Sequence, residues 1–200
     1  MKKALMVMLL VVTMPVAVYA DGGFVGIGAT YGIEQFDIED AAIAPFSVDF
    51  DDTFGVNGKV GYRWNQLAVG LEAEFLPGSE YVETQMVSGV PVTLEAEADI
   101  WAIMPFVQFF FPMIGNCEPY LKAGFGWMNL DVDMSASVPG LVAVSSEDDT
   151  DACIGAGAGI DFYVTDAVAL GLSGNHVWGM NNLDEVRYWS IRAGAMFYFQ

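Results

Sequence analysis

Apolar and polar residues alternate over several stretches of about ten residues that follow the first twenty positions. In the first stretch Val25, Ile27, Ala29 and Tyr31 alternate with glycine and threonine. This alternation predicts β-strands, because successive side chains of a strand point to opposite faces of the sheet. The pattern predicts strands over residues 25–34, 53–64, 67–75, 120–127, 152–162, 168–175 and 189–199.

A further segment, Asp99 to Phe111, is apolar on both faces and contains Pro105. Its aromatic end, Phe109 to Phe111, favours a strand over a buried helix, which remains the alternative. Because proline lacks the amide donor of a β-ladder, we expect a bulge at Pro105. With this segment the chain has eight predicted strands, and bacterial outer-membrane barrels have even numbers of strands.

Charged residues within the predicted strands share their face with the glycines, while the opposite face is broad and apolar. In a soluble barrel the ions would face outward, so this arrangement predicts a barrel whose apolar face meets lipid. Aromatic residues near the strand ends predict two interfacial girdles. The outer girdle comprises Tyr31, Phe75, Trp101, Trp127 and Trp189, and the inner girdle Trp64, Phe109, Phe111, Phe162 and Phe199.

The connections between predicted strands alternate in length, which orients the barrel. Asn65–Gln66, residues 113–118 and Thr165–Asp166 are short, and residues 35–52, 76–97, 129–151 and 178–185 are longer. Short periplasmic turns and long external loops are typical of outer-membrane barrels. Eighteen of the twenty-six acidic residues, and no basic residue, fall in the four longer connections. We therefore expect long, acidic external loops.

The first twenty residues have the composition of an export signal. Lys2 and Lys3 precede an apolar run, and Val18 and Ala20 place small residues before a cleavage site after Ala20. We expect residues 1–20 to be a signal peptide and residues 21–200 to be one outer-membrane β-barrel domain; a transmembrane anchor is the alternative. The formal net charge of −19 would repel phosphate backbones, so nucleic-acid binding is not expected.

Two cysteines, Cys117 and Cys153, permit a disulfide in an oxidising compartment. The strand map places them at opposite ends of the barrel, beyond the reach of a disulfide, and predicts two free thiols.

Eight charged residues of the predicted strands point into the barrel. If Asn65–Gln66 is a two-residue turn, Lys59 lies directly opposite Glu72, and neighbours at that distance interact. Eight strands leave just enough room for side chains, and unpaired buried ions are costly, so we expect ion pairs that fill the lumen. A gated ion path is the alternative. The predicted network comprises Glu34, Lys59, Arg63, Glu72, Glu74, Lys122, Asp161 and Arg192.

Candidate sites for metals and catalysis are weak. The external acids, such as Asp131 and Asp133, supply the oxygen ligands that Ca²⁺ and Mg²⁺ prefer but lack an EF-hand spacing, so we expect solvated loops and no metal or cofactor. His176, the only histidine, lies in phase with the lipid face near the external rim. No serine nucleophile follows it, so no catalytic residue is expected.

Together, the eight strands, the export signal and the closing aromatic strand resemble the small outer-membrane β-barrel family of the OmpA/OmpX type over nearly all of residues 21–200. Residues 109–112 and 119–126 are similar to the family's central hairpin. The end of the chain resembles the signal that the barrel-assembly machinery reads, through Arg192, Gly194, Phe197 and Phe199. The resemblance implies insertion by that machinery into outer-membrane lipid and lipopolysaccharide.

The sequence therefore predicts an all-β fold, a closed antiparallel eight-stranded transmembrane β-barrel in the cell outer membrane. We expect a non-enzymatic envelope protein whose acidic surface loops serve adhesion, ligand contact or surface stabilisation. A small ion-conducting channel and a lipid A-modifying enzyme are the alternatives. The sequence does not identify an extracellular ligand.

Overall fold

The computed structural model describes residues 21–36, 52–87, 90–138, 141–184 and 186–199. They form one antiparallel sheet that closes in the order β1 to β8, which confirms the predicted barrel. The predicted signal peptide, residues 1–20, lies outside the described residues. The strands are β1 (Gly22–Phe36), β2 (Thr53–Trp64), β3 (Leu67–Val87), β4 (Val90–Phe110), β5 (Cys117–Val138), β6 (Leu141–Thr165), β7 (Val168–Gly179) and β8 (Val186–Phe199).

The barrel closes where β1 pairs with β8 from Gly23↔Phe199 to Phe36↔Val186. Gly28 and Gly194 lie opposite each other at the middle of this seam. A Cβ atom on Gly194 would lie 2.4 Å from the carbonyl oxygen of Ile27, so the close approach of the two strands requires glycine there.

The short turns position the inward side chains. Asn65–Gln66 is a two-residue turn with Asn65 at φ 52°, a conformation that asparagine tolerates. The turn sets Lys59 directly opposite Glu72, so the predicted register is confirmed. The segment 113–118 is shorter than expected as a connection, because β5 already begins at Cys117.

Two of the four predicted external loops are strands instead. β3 and β4 pair to Val87↔Val90, and β5 and β6 pair to Val138↔Leu141. Residues 76–97 and 129–151 were expected as loops because their acidic residues suggested solvated chain, whereas in the structure both segments form strands whose pairing continues from the barrel below. We call this four-stranded extension, residues 76–87, 90–100, 129–138 and 141–152, the projecting sheet.

The other two predicted loops are only partly described. β1 extends to Phe36, and residues 37–51 lie outside the described part of the chain. Between β7 and β8 the chain forms a single 3₁₀ turn, Asn181–Leu183. In the described residues, no helix is long and apolar enough to cross a membrane.

The bulge expected at Pro105 is absent. β4 pairs with β5 at Ile103↔Trp127 and resumes in the same register at Phe106↔Gly124, so the ladder skips two positions without inserting a residue. The register instead shifts between Leu76 and Ser79, at the point where β3 leaves the barrel. Gly78 has φ +61° there, and its amide donates to Asp99 Oδ1 at 2.6 Å.

The two faces of the barrel differ as the alternation predicts. On β4, outward Val107 is 50% exposed, whereas the inward neighbours Phe106 and Gln108 are buried. The outward face of the described strands carries large exposed apolar side chains from every strand. Cys117 and Cys153 are free thiols, which confirms that prediction.

Candidate functional site

The barrel interior consists of a polar centre between two apolar layers. The upper layer lies toward the projecting sheet, and the lower layer lies toward the short turns at the other end of the barrel. The upper layer is formed by Leu76, Ile100, Ala102, Met104, Met128, Cys153, Val177, Leu183, Val186 and Tyr188. The lower layer is formed by Phe24, Ala68, Phe106, Phe110, Tyr120, Tyr163, Ala169 and Met196. Packed side chains therefore close the lumen at both ends.

Arg192 links two carboxylates at the polar centre. Its Nε and Nη2 atoms donate to the two carboxylate oxygens of Glu74, each at 2.7 Å, and its Nη1 donates to Glu72 at 2.5 Å. Lys122 donates to the other oxygen of Glu72 at 2.5 Å, and Tyr188 donates to Glu74 at 2.8 Å. The two carboxylates thus receive five hydrogen bonds, which is how buried charges are satisfied.

A second ion pair lies in the lower half of the barrel. Arg63 donates from two guanidinium nitrogens to the two oxygens of Glu118, both at 2.7 Å, and its guanidinium lies 3.9 Å from the ring centroid of Phe110. Tyr163 donates to Glu118 at 2.8 Å. Planar bidentate contacts of this kind are the strongest arginine–carboxylate geometry.

Glu118 was missed by the sequence analysis, which assigned it to a turn. The signal was present, because Glu118, Tyr120 and Lys122 share one phase of the alternation. Extending the β5 pattern back by two residues places Glu118 inside the barrel, next to the lower end of the lumen.

Three predicted members of the network are not joined to it in the way expected. Lys59 lies opposite Glu72, but among the described residues its ammonium meets no carboxylate at ion-pair distance and lies 5.4 Å from the ring centroid of Tyr120. Glu72 turns instead toward the far wall of the lumen. Asp161 is fully buried and accepts a hydrogen bond from Tyr198 at 3.3 Å. The side chain of Glu34 lies outside the described part of the chain.

The space that remains in the lumen is small. A cavity of about 30 Å³ lies below the Arg192 cluster and one of about 10 Å³ above it, and both are lined by Glu72, Lys122 and Arg192. The larger cavity has room for about one water molecule. Gln108, Asn175 and Ser190 each have a buried polar atom without a partner in the described residues, which is the setting in which ordered water is found.

The outward face of the projecting sheet carries rows of carboxylates. Asp99 lies opposite Asp131, and Asp131 lies opposite Asp148, so three acids adjoin across three strands. One row further out, Glu97 lies opposite Asp133. Like charges that face each other across strands are destabilising. Among the acids of these rows, Asp99 receives a hydrogen bond from the amide of Gly78, and Asp148 receives one from Asn129. In the described residues no group of three His, Cys, Asp or Glu could hold a metal ion.

His176 lies on the outward face near the external rim, in the predicted phase, but is only 8% exposed. The indole rings of Trp178 and Trp189 cover it, with ring centroids 4.1 and 4.3 Å from that of the imidazole. Its Nδ1 atom is buried and has no hydrogen-bond partner among the described residues.

The four residues of the predicted assembly signal all lie in β8. Arg192 points into the lumen and Gly194 faces the seam with β1, while Phe197 and Phe199 point outward and are 41% and 58% exposed. Arg192 and Gly194 therefore also have a packing role in the finished barrel.

Residues 4–199 match the family described as the outer membrane protein beta-barrel domain. No curated protein sequence matches the chain.

Several solved structures share the fold. Neisserial surface protein A (NspA) has a TM-score of 0.53 and 18% identity, over 89% of this chain and 97% of that one. Ail, the attachment invasion locus protein of Yersinia pestis, was solved with the heparin analogue sucrose octasulfate. It has a TM-score of 0.52 and 17% sequence identity, over 90% of this chain and 99% of Ail. The outer membrane protein OprG of Pseudomonas aeruginosa has a TM-score of 0.53 and 12% sequence identity, over 93% of this chain and 100% of OprG.

Proposed function

The chain belongs to the family of outer membrane proteins with a β-barrel domain, and from this premise we propose that it is a non-enzymatic protein whose projecting sheet contacts partners outside the cell. The barrel lies in the outer membrane, in a surrounding of lipid and lipopolysaccharide. The observation that carries the proposal is the projecting sheet, an ordered acidic surface that rises from a barrel filled with side chains.

The edges of the projecting sheet support contact with an extended polypeptide. Among the described residues, β3 beyond Leu76 pairs with β4 alone, and β6 before Ala152 pairs with β5 alone. Edge strands of this kind present unpaired backbone donors and acceptors to which another strand can add.

The charge of the sheet supports a basic partner. Glu97, Asp99, Asp131 and Asp133 lie on one face, and complementary charge steers and selects partners. A polyanion such as the sulfated ligand bound to Ail would be repelled by this face. We therefore propose a basic, extended segment as the ligand, and do not extend the binding seen in Ail to this chain.

The packed lumen supports a role other than conduction. An ion would have to pass two apolar layers and the Arg192 cluster between them. The larger cavity inside the lumen has room for about one water molecule. The channel alternative is therefore not the function that the geometry favours.

The surroundings of His176 support a non-enzymatic role. Its ring is enclosed by two indoles, and a general base must reach the proton that it abstracts. A lipid A-modifying activity based on this histidine is not favoured by that enclosure.

The two ends of the chain complete the proposal. Residues 1–20 would be removed after export, and Arg192, Gly194, Phe197 and Phe199 would guide insertion by the barrel-assembly machinery. Outer-membrane fractionation of a Phe199→Ser variant, compared with wild type, tests the second point through loss of inserted protein.

Binding to peptides tests the proposed function. The full protein in lipid nanodiscs would be titrated with a ten-residue peptide of alternating lysine and valine, and with the same pattern carrying glutamate. We expect binding of the lysine peptide, loss of binding with rising salt, and no binding of the glutamate peptide or of sucrose octasulfate.

A trimmed variant provides the control for that titration. Replacing residues 79–97 by one short turn and residues 131–148 by another removes the upper parts of β3, β4, β5 and β6 and leaves the barrel strands in place. Binding that persists in this variant, or equal binding of both peptides, would contradict the proposal.

A further inference from the structure

A shallow groove crosses the outward face of the projecting sheet. It has a volume of about 410 Å³ and is lined by residues of all four strands. One row of cross-strand neighbours runs along it. Val82 on β3 lies opposite Glu95 on β4, and Ser135 on β5 lies between Glu95 and Val144 on β6. We call this feature the cross-strand groove.

The cross-strand groove has apolar ends and an acidic middle. Val82 and Val144 are 63% and 74% exposed and lie on the two edge strands of the projecting sheet. Glu95 lies between them, and one row nearer to the barrel Glu97 lies opposite Asp133. A ligand that fits this surface must carry positive charge at its centre and apolar groups on both sides.

The carboxylates of the groove have no cation near them within the described chain. Glu95 accepts a hydrogen bond from Ser135 at 3.4 Å, and no described side chain donates one to Glu97 or Asp133. The projecting sheet contains no lysine or arginine. Because like charges that face each other across strands repel, a cation supplied by a partner would stabilise this row.

The groove lies beyond the membrane surface. Trp101, a member of the predicted outer girdle, lies on β4 six residues before the level of Glu95 is reached, which is about 20 Å along the strand. With the usual strand tilt this is a height of about 15 Å, whereas the headgroup layer of a bilayer is only about 5–8 Å thick. Anionic lipopolysaccharide is moreover repelled by the carboxylates, so the groove suits a water-soluble partner.

The spacing of the two valines matches an extended polypeptide that crosses the strands. Neighbouring strands lie about 4.8 Å apart, so Val82 and Val144, three strands apart, are separated by about 14 Å. In an extended chain, residues i and i+4 point the same way and lie about 13–14 Å apart. Residue i+2 then lies midway, above the space between Glu95 and Ser135.

We propose that the cross-strand groove binds an extended segment of an extracellular protein with an apolar residue at i, lysine or arginine at i+2, and an apolar residue at i+4. The basic side chain meets Glu95, Glu97 and Asp133, and its apolar neighbours cover Val82 and Val144. This inference rests on the proposed function. It adds the sequence pattern of the ligand and its direction, across the strands rather than along a sheet edge.

Two peptides of identical composition test the proposal with the full protein in lipid nanodiscs. One has the core Val-Ser-Lys-Ser-Val and the other the core Lys-Ser-Val-Ser-Val, each between short glycine–serine flanks that carry a fluorescent label. We expect anisotropy titrations to show binding of the first that is at least about fivefold tighter, because only it places valine on both sides of lysine. Addition of a strand to a sheet edge depends on backbone hydrogen bonds and would not distinguish the two.

Matched variants locate the binding on the groove. Asp133→Asn should weaken binding of the first peptide by about fivefold, whereas Asp148→Asn, the same change on the same face outside the groove, should alter it by less than about twofold. Val144→Thr keeps the β-branched shape and should reduce the preference for the first peptide. The mobility shift between heated and unheated gels shows that each variant is folded.

The outcomes separate this inference from the proposed function. Equal affinities for the two peptides, or equal effects of Asp133→Asn and Asp148→Asn, would overturn the cross-strand groove as the binding site. Salt-sensitive binding that is lost in the trimmed variant would leave the proposed function in place. No binding of either peptide would also overturn the inference, and the alternating lysine–valine peptide then decides whether the proposed function fails with it.

Discussion

Arg192 holds Glu72 and Glu74 together inside the barrel, so its removal leaves two buried carboxylates short of partners. Breaking a buried ion pair on one side costs about 3–5 kcal/mol. We therefore expect Arg192→Met to lower the free energy of unfolding by about that amount. Urea unfolding of the protein in lipid vesicles, followed by tryptophan fluorescence, measures the loss.

Lys59 provides the control for this measurement. It also points into the lumen but meets no described carboxylate at ion-pair distance. Lys59→Met should therefore cost less than about 1 kcal/mol, the range of weak charge contacts. Equal losses in the two variants would show that the hydrogen bonds of Arg192 do not stabilise the barrel.

At the scale of residues, the alternation predicted which side chains point inward but not which of them meet. Register places Lys59 against Glu72, yet Glu72 contacts Lys122 and Arg192 across the lumen. Contacts across a barrel depend on its diameter and on side-chain length, and neither follows from the pairing of adjacent strands. The sequence analysis missed Glu118 because it predicted that β5 begins only at residue 120.

Among the strands, the outward face of β3 meets two different surroundings along its length. Leu71, at the middle of the barrel part, is 44% exposed, and Val82, in the projecting part, is 63% exposed. Arginine on the lipid face near the midplane costs about 2–4 kcal/mol. We expect Leu71→Arg to lower the free energy of unfolding by that amount. Val82 lies opposite Glu95, so Val82→Arg should cost almost nothing.

The same vesicle unfolding assay compares these two variants. Because both substitutions place the same residue on the same strand, β-propensity and side-chain size are matched. Similar costs at the two positions would contradict the placement of the bilayer around the barrel part of β3.

In the projecting sheet, Asp131 faces Asp99 on one side and Asp148 on the other. Removing its charge relieves two unfavourable cross-strand contacts, each worth roughly 0.2–1 kcal/mol. Asp131→Asn should therefore slow amide hydrogen exchange in residues 129–137, with a smaller effect in high salt. Ser137→Asn, opposite the uncharged Thr93, should leave exchange unchanged. Faster exchange in Asp131→Asn would indicate that a bound cation joins these carboxylates.

At the scale of elements, barrel strands could be predicted because lipid on one side and a glycine-rich lumen on the other impose a clear alternation. In the projecting sheet the outer face carries polar residues such as Thr93 and Glu95, which do not distinguish a strand from a solvated loop. The prediction at Pro105 was wrong as well. Proline predicts a bulge, but β4 keeps its register across that position.

For the whole molecule, the layered interior predicts an electrically silent barrel. The purified protein in planar bilayers should show no discrete conductance steps, because the upper and lower apolar layers exclude hydrated ions. Regular single-channel steps from the folded form, identified by its shifted mobility in unheated gels, would contradict this expectation.

The one-sided placement of the carboxylate rows also affects the membrane around the barrel. The rows lie on β4, β5 and β6, which are consecutive strands in the ring of eight, so these carboxylates lie on one flank. The protein therefore has an in-plane electrical polarity, parallel to the bilayer surface. Anionic lipids and their counterions will distribute unevenly around it, and an adjacent protein will meet a different potential depending on the side from which it approaches.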